Sequence, residues 1–308
     1  MVMPLEGIRV LEWAMFHNGP AAGYMLGDLG AEVIKIEQPL RGDDSRGTVF
    51  AQGVSTGLAG ERNVTFEHAN RNKRGITLDI KTKGGRQILH RLVERSDVFL
   101  TNFRQSVILR AQMDYETLSR HNPRLIYALA TGYGTRGPDS DKRSFDTAVQ
   151  GRSGFMFSMG DRALTEPVQT QGAPLDQMGA TILTYGILAA LFARERTGVG
   201  QQVEASILGS AIHLQGFNMS MVSFRGRPVS RHARASSPNP MANYYQGSDG
   251  KWLMLAEYQS DRFWHEFCDA LGIGELADQE DYATDAARRE HSREVIHILD
   301  QVRNKDAR

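Results

Sequence analysis

An α/β protein built on a parallel sheet is the fold this sequence predicts, and three observations predict it. Short β-rich runs alternate with helix-like stretches from Gly7 onward. The alternation runs strand, helix, strand in repetition, which calls for parallel strands joined by covering helices. A long apolar helix then follows Asp176, suited to the centre of such a core.

The elements can be justified in chain order. GIRVLEW and AEVIKIE are the first two strands. Between them lies PAAGYMLGDLG, where Pro20 suits a first helical position and Gly30 a stop. RGITLDIK is a third strand, followed by a helical stretch from Thr82 to Arg95. DVFLTNF, a helical region through Ser119, and LIYALATGYG continue the pattern. Residues 137–175 are richer in Gly, Ser and polar groups and are expected on the surface near a site. The clearest helix spans about Asp176 to Arg196 and is apolar on nearly every face through Phe192. Arg194 and Arg196 in its last turn and Gly198 just beyond make a well-formed C-terminal signal. QQVEASI reads as a further strand, then an apolar helix runs to about Phe224.

RGRPVSRHARASSPNP is basic, holds Pro and Ser, and lacks periodicity, which marks a linker. NYYQGSDGKWLMLAE reads as a hairpin turning at Ser248-Asp249-Gly250. The predicted organisation is a large α/β domain over 1–225, a linker over 226–240, and the beginning of a smaller α+β domain over 241–308.

Composition narrows the function classes. The 308 residues are 41% hydrophobic and 23% charged, ordinary for a soluble globular protein. Lys plus Arg balances Asp plus Glu at 36 each, so no global field points to nucleic acid or membrane. Cys268 stands alone, which excludes an internal disulfide and a cysteine zinc site and suits a reducing cytoplasm. The opening MVMPLEGIRVLEW shows no basic stretch leading into an apolar core, so no signal peptide is expected. The apolar run Ala180–Ala193 reads as too short to span a bilayer and as a buried helix.

Several familiar chemistries fail on their motifs. The first strand-to-helix turn, AMFHNGPAAG, has Gly19 and Gly23 but no G-x-G-x-x-G, which argues against a dinucleotide. No G-x-x-x-x-G-K-S/T loop is present, so nucleotide hydrolysis is not expected. His265-Glu266 opens like H-E-x-x-H, but Asp269 takes the second histidine position. GRSGF at 151–155 fails G-x-S-x-G.

Six segments in order carry a positive signal: PLEGIRVLEW, GPAAGYMLGDLGAEVIKIE, NRNKRGITLDIKT, DVFLTNF, GYGTRGP and PLDQMGATILTYGILAALFARERTGVGQQVEASI. Together, across residues 4–207, they resemble the class III coenzyme A-transferases, the family of formyl-CoA transferase and carnitine CoA-transferase. The resemblance implies a Rossmann-like large domain, a cytoplasmic enzyme, and no tightly bound cofactor, with coenzyme A and acyl-CoA as substrates. It also implies carboxylic acids as co-substrates and an interlocked homodimer, with no nucleic-acid or membrane partner.

The implied chemistry is transfer through an enzyme thioester. The family's nucleophile is the Asp just before the long apolar helix, here Asp176. A carboxylate at a helix N-terminus is stabilised by about 0.3–1 kcal/mol, so Asp176 is expected to stay ionised. From its own segment, Asp176 reads equally as a helix cap without chemistry.

Carried across residue by residue, the resemblance places CoA contacts at His17 and Asn18 after the first strand. His17 stands where formyl-CoA transferase has glutamine. Leu78, Asp79 and Lys81 form the next contact segment, and Asn102, Phe103 and Arg104 follow the DVFLT strand. Arg110 keeps a phosphate-binding arginine, Arg143 replaces a lysine and Asp146 a glutamate. The family arginine after the second strand is Gln38 here. For Lys81, Arg110 and Arg143 the residues alone leave solvated surface charge as the other reading.

Racemases of the same family need two bases, one of them a histidine directly before the residue at 146. Phe145 stands there, which favours transfer over racemisation. RASSPNPMANYY lacks the glycine run of formyl-CoA transferase, so oxalate and formate are not favoured. Family chains continue past Arg308. A fragment or a shortened, non-catalytic CoA-binding relative is therefore the competing expectation, and the chain alone is expected to be poorly active.

Overall fold

The computed structural model describes residues 2–51, 53–161, 164–227 and 231–302. They form two compact units, residues 1–157 with 169–226, and residues 158–168 with 227–308.

The first unit is organised on six parallel strands: β1 (Arg9–Trp13), β2 (Glu32–Glu37), β3 (Lys73–Thr77), β4 (Val98–Thr101), β5 (Ile126–Thr131) and β6 (Gln202–Ser206). Their spatial order is β3-β2-β1-β4-β5-β6. The order reverses between β1 and β4, and ligands of such sheets gather at the carboxyl ends flanking that point. The mixed α/β fold with a parallel sheet is thus what the alternation predicts.

Side chains alternate across each strand and make two cores. Val10, Val33, Leu100 and Ala128 pack against the first helix (Asn18–Asp28) and the long helix (Pro174–Thr197). Leu11, Ile36, Phe99 and Tyr127 pack on the other face, under the helix Lys83–Val93. Each large apolar side chain so buried stabilises the fold by about 1.5–3 kcal/mol.

The long helix starts two residues before Asp176 because Pro174 suits its first turn. It ends at Gly198, in the left-handed conformation (φ +72°), whose N–H returns to Arg194 O at 2.8 Å. Its 24 residues are long and apolar enough, by length and composition, to cross a membrane. Leu183, Ile187 and Leu191 instead pack into the core. The expectation of burial on nearly every face is corrected by Tyr185 and Phe192, which are 73% and 61% exposed. Beyond β6 the single expected helix is two, Ile207–Leu214 and Gly216–Arg225, breaking at Gln215.

The second unit holds the predicted hairpin, Tyr244–Gln246 paired antiparallel with Trp252–Met254. Its core gathers Met241, Tyr245, Trp264, Cys268 and Val295, with the buried Arg288 over the Trp264 ring at 4.4 Å. The expected linker differs from the prediction. Residues 228–230 lie outside the described residues, but Arg234 of the same stretch pairs with Asp300 at 2.5 Å. The backbone carbonyl of Pro240 accepts the Tyr245 hydroxyl. Residues 231–240 of this stretch are therefore part of the second unit, as are 158–161 and 164–168, which the sequence pattern assigns to the large domain.

Candidate active site

The turn after β1 is held on every side. Asn102, at the end of β4, accepts Met15 N–H at 3.0 Å and donates to Met15 O at 2.7 Å. Lys35 donates to Ala14 O, and Asp43 accepts Phe16 N–H at 3.1 Å. Phe16 sits at φ +62°, a conformation costing a non-glycine residue about 1–3 kcal/mol unless its surroundings enforce it. That turn delivers His17 and Asn18 to the N-terminus of the first helix, at the sheet's carboxyl edge.

The N-terminus of the long helix arrives from the opposite side. Ala173 precedes it at φ +53°, with no side-chain cap of its own. Asp146 supplies the missing cap from thirty residues away. Its Oδ2 accepts the backbone N–H of Leu175 at 2.7 Å and of Asp176 at 3.0 Å, and its Oδ1 accepts a bond from the Gln150 amide. Gln150 in turn exchanges two bonds with the backbone of Thr170.

Asp176 lies in the first turn of this helix, facing a cavity of about 620 Å³. His17, Asn18, Asn102, Phe103, Arg104 and Arg143 line the same cavity. His17 Nε2 donates to Gln177 Oε1 at 3.0 Å, and Gln177 donates to the Tyr24 hydroxyl at 2.7 Å. Because Gln177 points its amino group at Tyr24, it offers His17 an oxygen, which sets the proton on Nε2. The ring stacks on His68 at 5.2 Å. Burial lowers the His17 pKa, against the pull of the Gln177 bond, so the imidazole is neutral at pH 7.

The charge on Asp176 departs from expectation. Burial, and after it the negative charge of Asp146, push its carboxyl up to about 7. Helix-dipole stabilisation of about 0.3–1 kcal/mol is outweighed by these two effects. Asp176 is thus held well above the ordinary carboxylate range rather than being a permanent anion.

A second cavity of about 650 Å³ shares Met15, Arg41, Phe103 and Val107 with the first. Asp79, Lys81 and Arg110 line it, as do Trp13, Gln38 and Arg86. The Trp13 and Phe103 rings lie 4.3 Å apart, giving the cavity a flat aromatic wall. Among the described residues, Lys81, Arg110 and Arg143 carry no ion pair, so their charges are open to an anionic ligand. Arg104 leans on Asp141 at 3.7 Å. The Asp79 carboxylate accepts Lys81 N–H, shaping the turn that presents Lys81.

Two expected contact residues line neither cavity. Leu78 is buried at 8% exposure in the core around Leu89 and Val93. Asp146 is 5% exposed, with its carboxylate directed at the helix N-terminus. Sequence reasoning missed Arg41, Arg86 and Gln177. For Arg41 the signal was near at hand: it lies three residues past Gln38 in the same loop.

The sequence profile described as CoA-transferase family III matches residues 5–308. The chain belongs to CoA-transferase family III. It is an enzyme of the CoA-transferase type, by this profile and by the names of its relatives. It is 39% identical over 302 residues to a succinate–glutarate CoA-transferase of Agrobacterium fabrum, covering 96% of this chain and 73% of that one. A cinnamoyl-CoA:phenyllactate CoA-transferase of Clostridium sporogenes is 33% identical over 96% of this chain and 72% of its own. Among solved structures, a CaiB/BaiF family protein from Brucella suis superposes with a TM-score of 0.86 at 32% identity. That match covers 99% of this chain and 79% of the other.

Proposed function

We propose that this family III enzyme moves coenzyme A from an acyl-CoA donor to a carboxylic acid through a thioester on Asp176. The ionised Asp176 oxygen attacks the acyl-CoA carbonyl carbon and the C–S bond breaks, giving a mixed anhydride and CoA thiolate. The thiolate then attacks the Asp176 carboxyl carbon and the donor acid leaves as carboxylate. The acceptor carboxylate attacks the enzyme thioester, releasing thiolate, which takes the acyl group from the new anhydride and restores Asp176. Bonds to sulfur are exchanged one for one, so no nucleotide hydrolysis is required.

The observation that carries this reading is the seat of Asp176, at a capped helix N-terminus facing a cavity that shares Met15 and Phe103 with a basic one. The second cavity suits the nucleotide end of CoA: Trp13 and Phe103 offer aromatic surface, and Lys81 and Arg110 offer charge. Small di-acids are the first substrates to try, since the Agrobacterium relative is named for succinate and glutarate. The enzyme is proposed to work as a homodimer.

Incubation with succinyl-CoA should leave a hydroxylamine-labile CoA adduct on the peptide holding Asp176, read by mass spectrometry. Asp176→Ala and Asp176→Asn should abolish transfer with CoA affinity kept within about tenfold, or about 1.4 kcal/mol. Near-normal turnover by Asp176→Ala would sink the mechanism.

A further inference from the structure

Beneath the first helix, four charged side chains are buried where a sheet ordinarily carries apolar ones. Glu12 of β1 lies in register with Lys35 of β2. Lys35 Nζ reaches Glu12 Oε1 at 3.0 Å and Asp43 Oδ2 at 2.9 Å, and Lys73 Nζ of β3 reaches Glu12 Oε2 at 2.7 Å. None of the four side chains is more than 3% exposed. Gly23 of the first helix makes room, since a Cβ there would collide with the Glu12 carboxylate. Two cations and two anions leave the cluster neutral.

A buried ionic cluster is weak evidence for stability, because apolar residues of the same volume often do as well. What this one adds is a fixed point outside itself. Lys35 also donates to Ala14 O at 2.9 Å, and Asp43 Oδ1 accepts both Phe16 N–H and Ser45 N–H. With Asn102 on Met15, four successive backbone groups of the β1 turn are held. The next residue is His17, bonded to Gln177 directly after Asp176. The loop that carries Asp43 also carries Arg41, which lines both cavities.

We infer that Asp43 is a positioning residue for CoA transfer: paired with Lys35, it holds the Phe16 N–H and so sets His17 against Gln177 beside Asp176. The inference rests on the transfer mechanism proposed above. It gives the buried charges a task that apolar residues cannot perform, since only an acceptor can fix the Phe16 N–H in its strained conformation.

The test separates the acceptor from the charge. In a Lys35→Met background, both Asp43→Asn and Asp43→Ala keep the cluster balanced as Glu12 with Lys73. Only Asp43→Asn retains an oxygen for Phe16 N–H. The Asp43→Asn protein should exceed the Asp43→Ala protein by at least about tenfold in kcat, with KM for acyl-CoA within about threefold, as misplacement of a reacting group demands. Equal kcat per folded molecule overturns the inference. In the unaltered enzyme, hydrogen exchange should find the Phe16 amide protected although it lies in a turn. Exchange at the rate of a free peptide overturns the inference whether or not the variants fold. A failure of the Asp176 mechanism would show separately, as turnover by Asp176→Ala, and would leave the Phe16 protection unchanged.

Discussion

Asp146 caps the helix that carries Asp176, accepting the N–H of that residue at 3.0 Å, and the same carboxylate raises the pKa of Asp176 by its charge. One side chain therefore does two opposed things. It stabilises the helix N-terminus, and it resists ionisation of the group beside it.

Asp146→Asn should expose both effects. The neutral amide removes the repulsion, so the rise of kcat/KM with pH should move to lower pH. Below about pH 6, where Asp176 is largely protonated, loss of the negative charge at the helix N-terminus should cost about 0.3–1 kcal/mol of stability. A pH–rate profile and denaturant melts check the two parts, and an unmoved profile would remove Asp146 from the electrostatics of the site.

Arg110 and Arg143 should each contribute to CoA binding. Arg110 lines the basic cavity and Arg143 the one that Asp176 faces, and both guanidinium groups are exposed. Replacement of either by Ala should weaken CoA by about 1.5–3 kcal/mol, the range for a hydrogen bond to a charged group. Titration with CoA and dephospho-CoA measures this. A smaller loss with dephospho-CoA assigns the contact to the 3′-phosphate, and unchanged affinity in both variants returns these residues to ordinary surface charge.

Much of the fold is legible in the residues themselves. The β-rich runs at Arg9–Trp13 and Glu32–Glu37 are read from branched residues and period, and the helix between them from Pro20 and Gly30. Asp176 is singled out by the family resemblance of the segment that opens the long apolar helix, since its own segment reads equally as a plain helix cap. The buried cluster is not legible, since Glu12 and Lys35 look like ordinary solvated charges until the strands are placed in register. Nor is the ionisation of Asp176: a helix dipole is visible locally, whereas desolvation and a carboxylate thirty residues earlier are consequences of tertiary packing. Arg41 escapes a position-by-position reading that stops at Gln38, because a flexible arginine reaches the same cavity from a neighbouring position.

Racemisation should be absent. Phe145 lines the cavity that Asp176 faces, 62% exposed, with its ring edge-on to Phe16 at 6.2 Å. Benzyl carbons neither take nor return a proton at neutral pH, so position 145 offers no base for inversion at an α-carbon. Incubating a 2-methylacyl-CoA in heavy water should show no catalytic entry of deuterium at that carbon. Exchange at a rate comparable to transfer would show that another base serves the site.

The last prediction follows from the linkage between protonation and folding. In the folded protein the Asp176 carboxyl is raised from 3.8 to about 7. Between those values the folded state binds more protons than the unfolded state, so stability falls as pH rises, and the loss levels off above the folded value. From pH 5 to pH 8 the titration spans about two units, worth about 2–3 kcal/mol at 1.36 kcal/mol per unit. An asparagine has the same shape and no charge to desolvate, so Asp176→Asn should grow more stable relative to the native enzyme by that amount across the same interval. In melting temperature the gap should widen by about 5–10 °C, at 2–4 °C per kcal/mol for a protein of this size. The other ionisable groups are present in both proteins, so their contributions cancel in the difference. Parallel thermal melts at pH 5, 6, 7 and 8 measure it. A gap that stays constant with pH would mean that Asp176 ionises in the folded enzyme as easily as in the unfolded chain. The strain of holding a carboxylate ready at this helix N-terminus would then have to be sought elsewhere.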